Sequence, residues 1–190
     1  MIKEKDEVAY FVALISGTFA VLHDKSSGGQ IGVPMQVLPK IARASECLDA
    51  ERWWEVPTAL QSGIWASVPG SGPEGVDGWP LLLEAAEKGA QSGVRVAWGI
   101  AALLASNGDQ EEILVQALEA HGKSLTEVEA DPKWLFFDQY ATEVSLQQSD
   151  KFWIKERGYR TPRLGEIPKM EEEIITAPSE EDPFGADPFQ

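Results

Sequence analysis

Between residues 94 and 144 an apolar stripe at helical spacing is followed by a stop and, within a few residues, by a fresh start. In "SGVRVAWGIAALLASNG" the residues Val94, Ala97, Trp98, Ala101, Leu104 and Ala105 follow i, i+3, i+4, i+7 spacing, and Asn107-Gly108 supplies a left-handed stop. Asp109 and Glu112 then stand in capping-box spacing before Ile113, Leu114, Ala117 and Leu118, and that helix is expected to end at His121-Gly122. Ser124 and Glu127 repeat the box, and Asp131-Pro132 starts a further helix with Trp134, Phe137, Ala141 and Val144 on one face. Connections this short force consecutive helices to lie antiparallel, so the expected fold is mainly α, a compact antiparallel helical bundle. No block of about 34 to 47 residues recurs with its core positions, which argues against a solenoid.

The first half is less regular. "EVAYFVALISGTFAVLHDKSSGG" reads as a helix capped at Asp6, apolar and so buried on every side, and stopped at Ser26-Ser27-Gly28-Gly29. The same run reads as a hairpin about Ser16-Gly17-Thr18, which would make the fold α+β with a small N-terminal hairpin. The helix is preferred because the downstream elements are helical. Pro34, Pro39 and Pro57 suggest short helices at about 39–54 and 57–67. The loop "PGSGPEGVDGWP", 69–80, is expected to divide two helical halves. A helical globular domain is therefore assigned to residues 1–165. Residues 166–190 are assigned to a disordered acidic tail with too little apolar content to order itself.

Charge and residue counts exclude several function classes. With 31 acids against 16 bases the formal charge is −15, which argues against a grip on nucleic-acid phosphates. The single Cys47 cannot make an internal disulfide and suits a reducing cytoplasm; on a helix beside Leu48 it is expected to be buried and inert. The apolar run Val8 to Leu22 is shorter than a bilayer requires, so no membrane span is expected. Seven Trp imply either an aromatic core or rings that serve an interface.

Catalytic signals are weak. Gly70, Gly72 and Gly75 match G-x-G-x-x-G, but Pro73 and the following "VDGWP" prevent the strand-turn-helix that a dinucleotide site needs. His23 beside Asp24 is a general base only if a nucleophile meets it. His121, in the last turn of its expected helix, is explained as a cation near a helix C-terminus, worth up to about 1 kcal/mol. Asp49, Glu51 and Glu55 read as one solvated helix face. No motif for a metal, flavin, heme or pyridoxal cofactor is present, and the chain reads as non-catalytic.

The ending "EEDPFGADPFQ" carries Asp-Pro-Phe twice. Pro183 and Pro188 pre-extend the backbone and display Phe184 and Phe189, while Asp182 and Asp187 can steer toward Lys or Arg. Exposed phenyl rings do not serve solubility, so the six residues are candidate partner-binding positions. The implied partner is another protein with a hydrophobic pocket rimmed by basic residues. The charge is also split: residues 171–190 carry −7, and residues 151–169 carry +4, which suggests a salt-sensitive fold-back of the tail.

The last 11 residues resemble the acidic C-terminal tip of bacterial single-stranded DNA-binding proteins, in which acids precede a terminal Pro-Phe that docks on repair and replication enzymes. They are also similar to the Asp-Pro-Phe peptides of eukaryotic endocytic adaptors. Gln190 after the last Phe departs from the first pattern, as does a helical body in place of a strand-rich oligonucleotide-binding barrel. The expectation is a cytoplasmic adaptor or assembly factor of a bacterium or phage. The alternative is an acidic inhibitor or immunity-type protein that occludes a basic surface with its folded domain.

Overall fold

The computed structural model describes residues 3–168. Among them, seven α-helices follow a single 3-10 turn and no strand occurs: α1 Glu7–Ser26, α2 Val37–Ser45, α3 Val56–Ser67, α4 Gly78–Ala90, α5 Val96–Asn107, α6 Glu111–Glu127 and α7 Leu135–Arg157. The mainly helical, compact fold expected from the sequence is thus the one observed, and the N-terminal run is helix rather than hairpin. The tail positions Asp182 to Phe189 lie outside the described residues.

Helix α5 is the axis of the molecule. Every residue from Val96 to Ala105 is buried, and α1, α3, α4, α6 and α7 all pack on it or on its immediate neighbours. The composition of "VAWGIAALLASN" explains this role, because Ala and Gly on several faces let neighbours approach closely. At Gly99 an added Cβ would stand 3.1 Å from the Ala141 carbonyl oxygen, so α7 crosses α5 almost backbone to backbone.

Helix α1 ends in a Schellman arrangement: the Gly28 N–H donates to the Lys25 carbonyl (3.1 Å) and the Gly29 N–H to the Asp24 carbonyl (2.7 Å). Its expected all-round burial is corrected, since Val8 and Val12 face solvent. Taken with the 3-10 turn, Glu4–Ser26 is long and apolar enough to cross a bilayer by length and composition alone, contrary to the shorter apolar run. Yet 39% of that window is already inside the fold, where Phe11, Leu14, Ile15, Phe19 and Leu22 join the core.

Other helix limits differ from expectation for local reasons. Helix α2 stops at Ser45, and the Asp49 carboxylate accepts the Arg52 N–H (2.9 Å) to form a tight turn that buries Trp53 and Trp54. Trp54 and Glu55 are left-handed (φ 51° and 58°), so no helix can run through 54. On either side of the intervening loop, α3 and α4 pack tightly against each other and share one core. At Gly78 a Cβ would come within 2.1 Å of the Ser62 carbonyl oxygen. After α5 the left-handed residue is Asp109 (φ 53°), not Gly108, and α6 is capped from Gln110 without a side-chain bond. Helix α6 passes through His121-Gly122 to Glu127, and "DKFWIKER" belongs to α7, which ends at Gly158 (φ 80°).

Arg95, Asp138 and His121 form a buried polar centre between α5, α6 and α7. Arg95 is 1% exposed, and its bonds all run to groups of the fold. Its backbone N–H donates to Asp138 Oδ1 (2.9 Å), Nη1 to Asp138 Oδ2 (2.8 Å), Nε to Ser124 Oγ (3.0 Å) and Nη2 to the carbonyls of Ser124 (2.9 Å) and Val128. One guanidinium therefore ties the start of α5 to the end of α6 and the first turn of α7. His121 lies beside it, with Nδ1 2.8 Å from Ser145 Oγ and Nε2 3.3 Å from Thr142 Oγ1. Thr142 donates its hydroxyl to the Asp138 carbonyl (3.0 Å), so it accepts from Nε2–H, and Ser145 donates to Nδ1.

Burial, then the Arg95 charge, push the His121 imidazole down to about 3 from 6.5. The expected cation at a helix end is therefore corrected to a neutral core histidine. Removing one partner of the Arg95–Asp138 pair leaves a buried charge unmatched: Asp138→Ala is expected to cost about 3–5 kcal/mol in urea unfolding. For His121 the unfolded chain takes up a proton below 6.5 and the folded chain only near 3. Stability is thus complete above 6.5 and falls by roughly 1.4 kcal/mol per pH unit on the way down to about 3. His121→Asn is expected to show a flatter stability profile than wild type across that window, in unfolding curves taken at several pH values.

Candidate functional site

Helices α1 and α7 diverge over α5 and leave an apolar groove of about 400 Å³. The buried Ile15, Phe19, Val96, Gly99 and Ala141 line its base, while the exposed Val12, Ser16 and Ala20 of α1 edge one side and Phe136, Phe137 and Tyr140 of α7 the other. The close crossing at Gly99 and Ala141 explains the hollow: neither residue reaches far enough to fill the space between the taller walls. Phe136 is 72% exposed, although a phenyl ring has no polar atom that water can satisfy. None of the lining residues is charged.

The walls are held by an aromatic lattice. Phe11 stacks on Trp53 at 4.5 Å and meets Phe137 edge-on at 5.6 Å, while Trp54 and Trp134 are 5.0 Å apart. Phe19 stacks on Tyr140 at 5.8 Å, and Phe136 lies nearly parallel to Tyr140 with centroids 6.4 Å apart. Helices α1 and α7 and the 49–54 turn are thereby locked around the groove, each ring pair adding about 0.5–1.5 kcal/mol. At the N-terminal end of α7, Lys133 Nζ lies 4.8 Å over the Trp134 ring; near Phe19, the exposed His23 ring is 6.0 Å away.

The residues singled out for chemistry do not converge. Asp24 is committed to the following loop, where its carboxylate accepts the N–H groups of Ile31 (2.8 Å) and Val33 (2.7 Å), which hold it below the usual carboxylate range. Cys47 is exposed rather than buried. Asp49, Glu51 and Glu55 do not share a helix face: Glu55 is largely buried, pairs with Lys88 and accepts the Thr58 hydroxyl at 3.0 Å. Gly70, Gly72 and Gly75 lie in the α3–α4 loop. No three of His, Cys, Asp and Glu stand close enough to hold a metal among the described residues.

In the basic 151–168 stretch, Lys155 bonds Glu111 (3.0 Å) and Glu156 (3.3 Å), Arg160 faces Asp150 (3.7 Å) and Arg163 faces Glu166 (3.1 Å). Lys155, Arg160 and Arg163 are thus each paired with an acid while their side chains stay largely exposed. Phe136 and Tyr140 are visible in "WLFFDQY" as an i, i+4 pair beside the core face, but no property of α1's uniform run marks Val12 as a facing wall. No protein-family model, no curated protein and no solved structure matches this chain.

Because Phe136 is mostly in solvent, Phe136→Ala is expected to change stability by less than about 1 kcal/mol. It is expected to weaken binding of an apolar dye such as anilinonaphthalene sulfonate several-fold in a fluorescence titration.

Proposed function

We propose that the protein is a non-catalytic adaptor or assembly factor that recruits another protein through its tandem Asp-Pro-Phe peptides. The observation that carries this reading is the repetition of an apolar ring behind a proline and an acid, at 182–184 and 187–189, in a stretch otherwise rich in carboxylates. The partner is a protein with an apolar pocket rimmed by Lys or Arg: Phe184 and Phe189 anchor, and Asp182 and Asp187 steer. Two copies five positions apart raise rebinding at one pocket or engage two.

The body supports this reading by giving the tail a fixed base. Leu164 is buried, the Trp153 indole N–H donates to the Glu166 carbonyl (2.9 Å), and Ile167 packs on the core. The lone exposed thiol of Cys47 favours a reducing compartment such as the cytoplasm. A second reading, an acidic body that occludes a basic surface, is favoured by the 24 acids against 15 bases within residues 3–168.

The Phe184→Ala/Phe189→Ala double variant is expected to melt within about 1 kcal/mol of wild type and to lose partner capture from lysate. Undiminished capture that collapses in moderate salt would instead assign binding to the acidic body.

A further inference from the structure

We infer that the α1–α7 groove is the resting site of the chain's own Asp-Pro-Phe tail, so that an external partner must compete with the body for the same rings. The inference rests on reading Phe184 and Phe189 as docking rings, and not on any external partner being present.

Three observations lead there. The first is chemical fit. The groove is an apolar hollow lined by aromatic rings with no charged side chain in its lining, so a docking phenyl-bearing segment displaces no charge there. Lys133, over Trp134 at the N-terminal end of α7, offers a cation to Asp182 or Asp187 of a docked tail. Stacked and edge-on ring contacts of the kind Phe136 already makes with Tyr140 and Phe137 are open to a further phenyl group.

The second is reach. The described chain ends at Pro168, next to Glu166, whose carbonyl is held by Trp153. From Trp153 to Tyr140 is 13 residues of α7, or about 20 Å along the helix. Phe184 lies 16 residues beyond Pro168, and a chain of that length reaches at most about 53–58 Å, more than twice the separation. A short flexible tether that spans the separation gives an effective concentration in the millimolar range. A ring-in-groove contact with a dissociation constant of about 1 mM is then half formed within the chain.

The third is the cost of leaving the groove open. Phe136 and Tyr140 stand 72% and 46% exposed beside Val12, and two further Phe residues lie in the same chain. One contact removes apolar surface on both sides from water.

The test uses the full-length chain with Cys47→Ser and Ala186→Cys, carrying a nitroxide at position 186 between the two Phe residues. Methyl resonances of Val12 and Ile15 are compared with those of Ile64 and Leu82, which lie between α3 and α4. The expected result is at least a two-fold loss of Val12 and Ile15 intensity, little change at Ile64 and Leu82, and recovery on adding Phe184→Ala/Phe189→Ala or Phe136→Ala. Unchanged Val12 and Ile15 signals would overturn the inference, as would broadening that survives loss of both tail rings. Broadening of an isotope-labelled, nitroxide-free copy mixed with an unlabelled spin-labelled one would assign the contact to a second molecule and overturn it too. Partner capture without the groove contact would leave the adaptor reading in place and remove this one; the groove contact without capture would do the reverse.

Discussion

A guanidinium inside an apolar core is costly unless each of its donors finds an acceptor, and Arg95 draws its acceptors from α7 and from the end of α6. The charge is matched by Asp138, itself 3% exposed, whose second oxygen takes the Arg95 backbone N–H. Three helix ends that would each leave unpaired backbone groups are thereby brought together at one point. Hydrophobic packing alone would let α6 and α7 slide along α5, whose surface is mostly methyl groups. The directional bonds of Arg95 fix their register.

His121 extends the same constraint. Because it is neutral, it links Ser145 and Thr142 on α7 to α6 without bringing a second positive charge toward Arg95. Thr142 passes the connection back to the Asp138 carbonyl. These polar residues thus act as a positional device in the core.

How much of this the sequence discloses depends on the range of the forces involved. Helices α5 and α7 are legible because apolar spacing is a local signal, and so is the end of α1 at its serine and glycine cluster, but the single stripe expected on α5 is in fact burial on every side. The stop expected at His121-Gly122 does not occur because the favourable packing of His121 against α7 outweighs the propensity cost of one glycine, about 1 kcal/mol. The helix expected over 39–54 fails for the opposite reason: an Asp49 turn and two left-handed residues place Trp53 and Trp54 into a lattice with Phe11 and Trp134, partners far away in the chain. Arg95 carries one overlooked signal, a single base in the otherwise apolar "VRVAWGIAALLA", where a charge implies a distant counter-charge. The groove carries less, since a hollow between α1 and α7 belongs to neither segment. The Asp-Pro-Phe repeats are legible as a linear motif, and they lie outside the described residues.

The clamp and the groove are connected through α7. Asp138 is held by Arg95 in the first turn of that helix, and the groove walls Phe136, Phe137 and Tyr140 flank it in sequence. Fixing Asp138 fixes the azimuth of α7, and with it the direction in which those rings point. On the facing side, Phe11 meets Phe137 and Phe19 stacks on Tyr140, so rings that line the hollow also tie α1 to α7. Side chains already packed against one another, as Phe19 is on Tyr140, have less freedom to lose when a further ring enters.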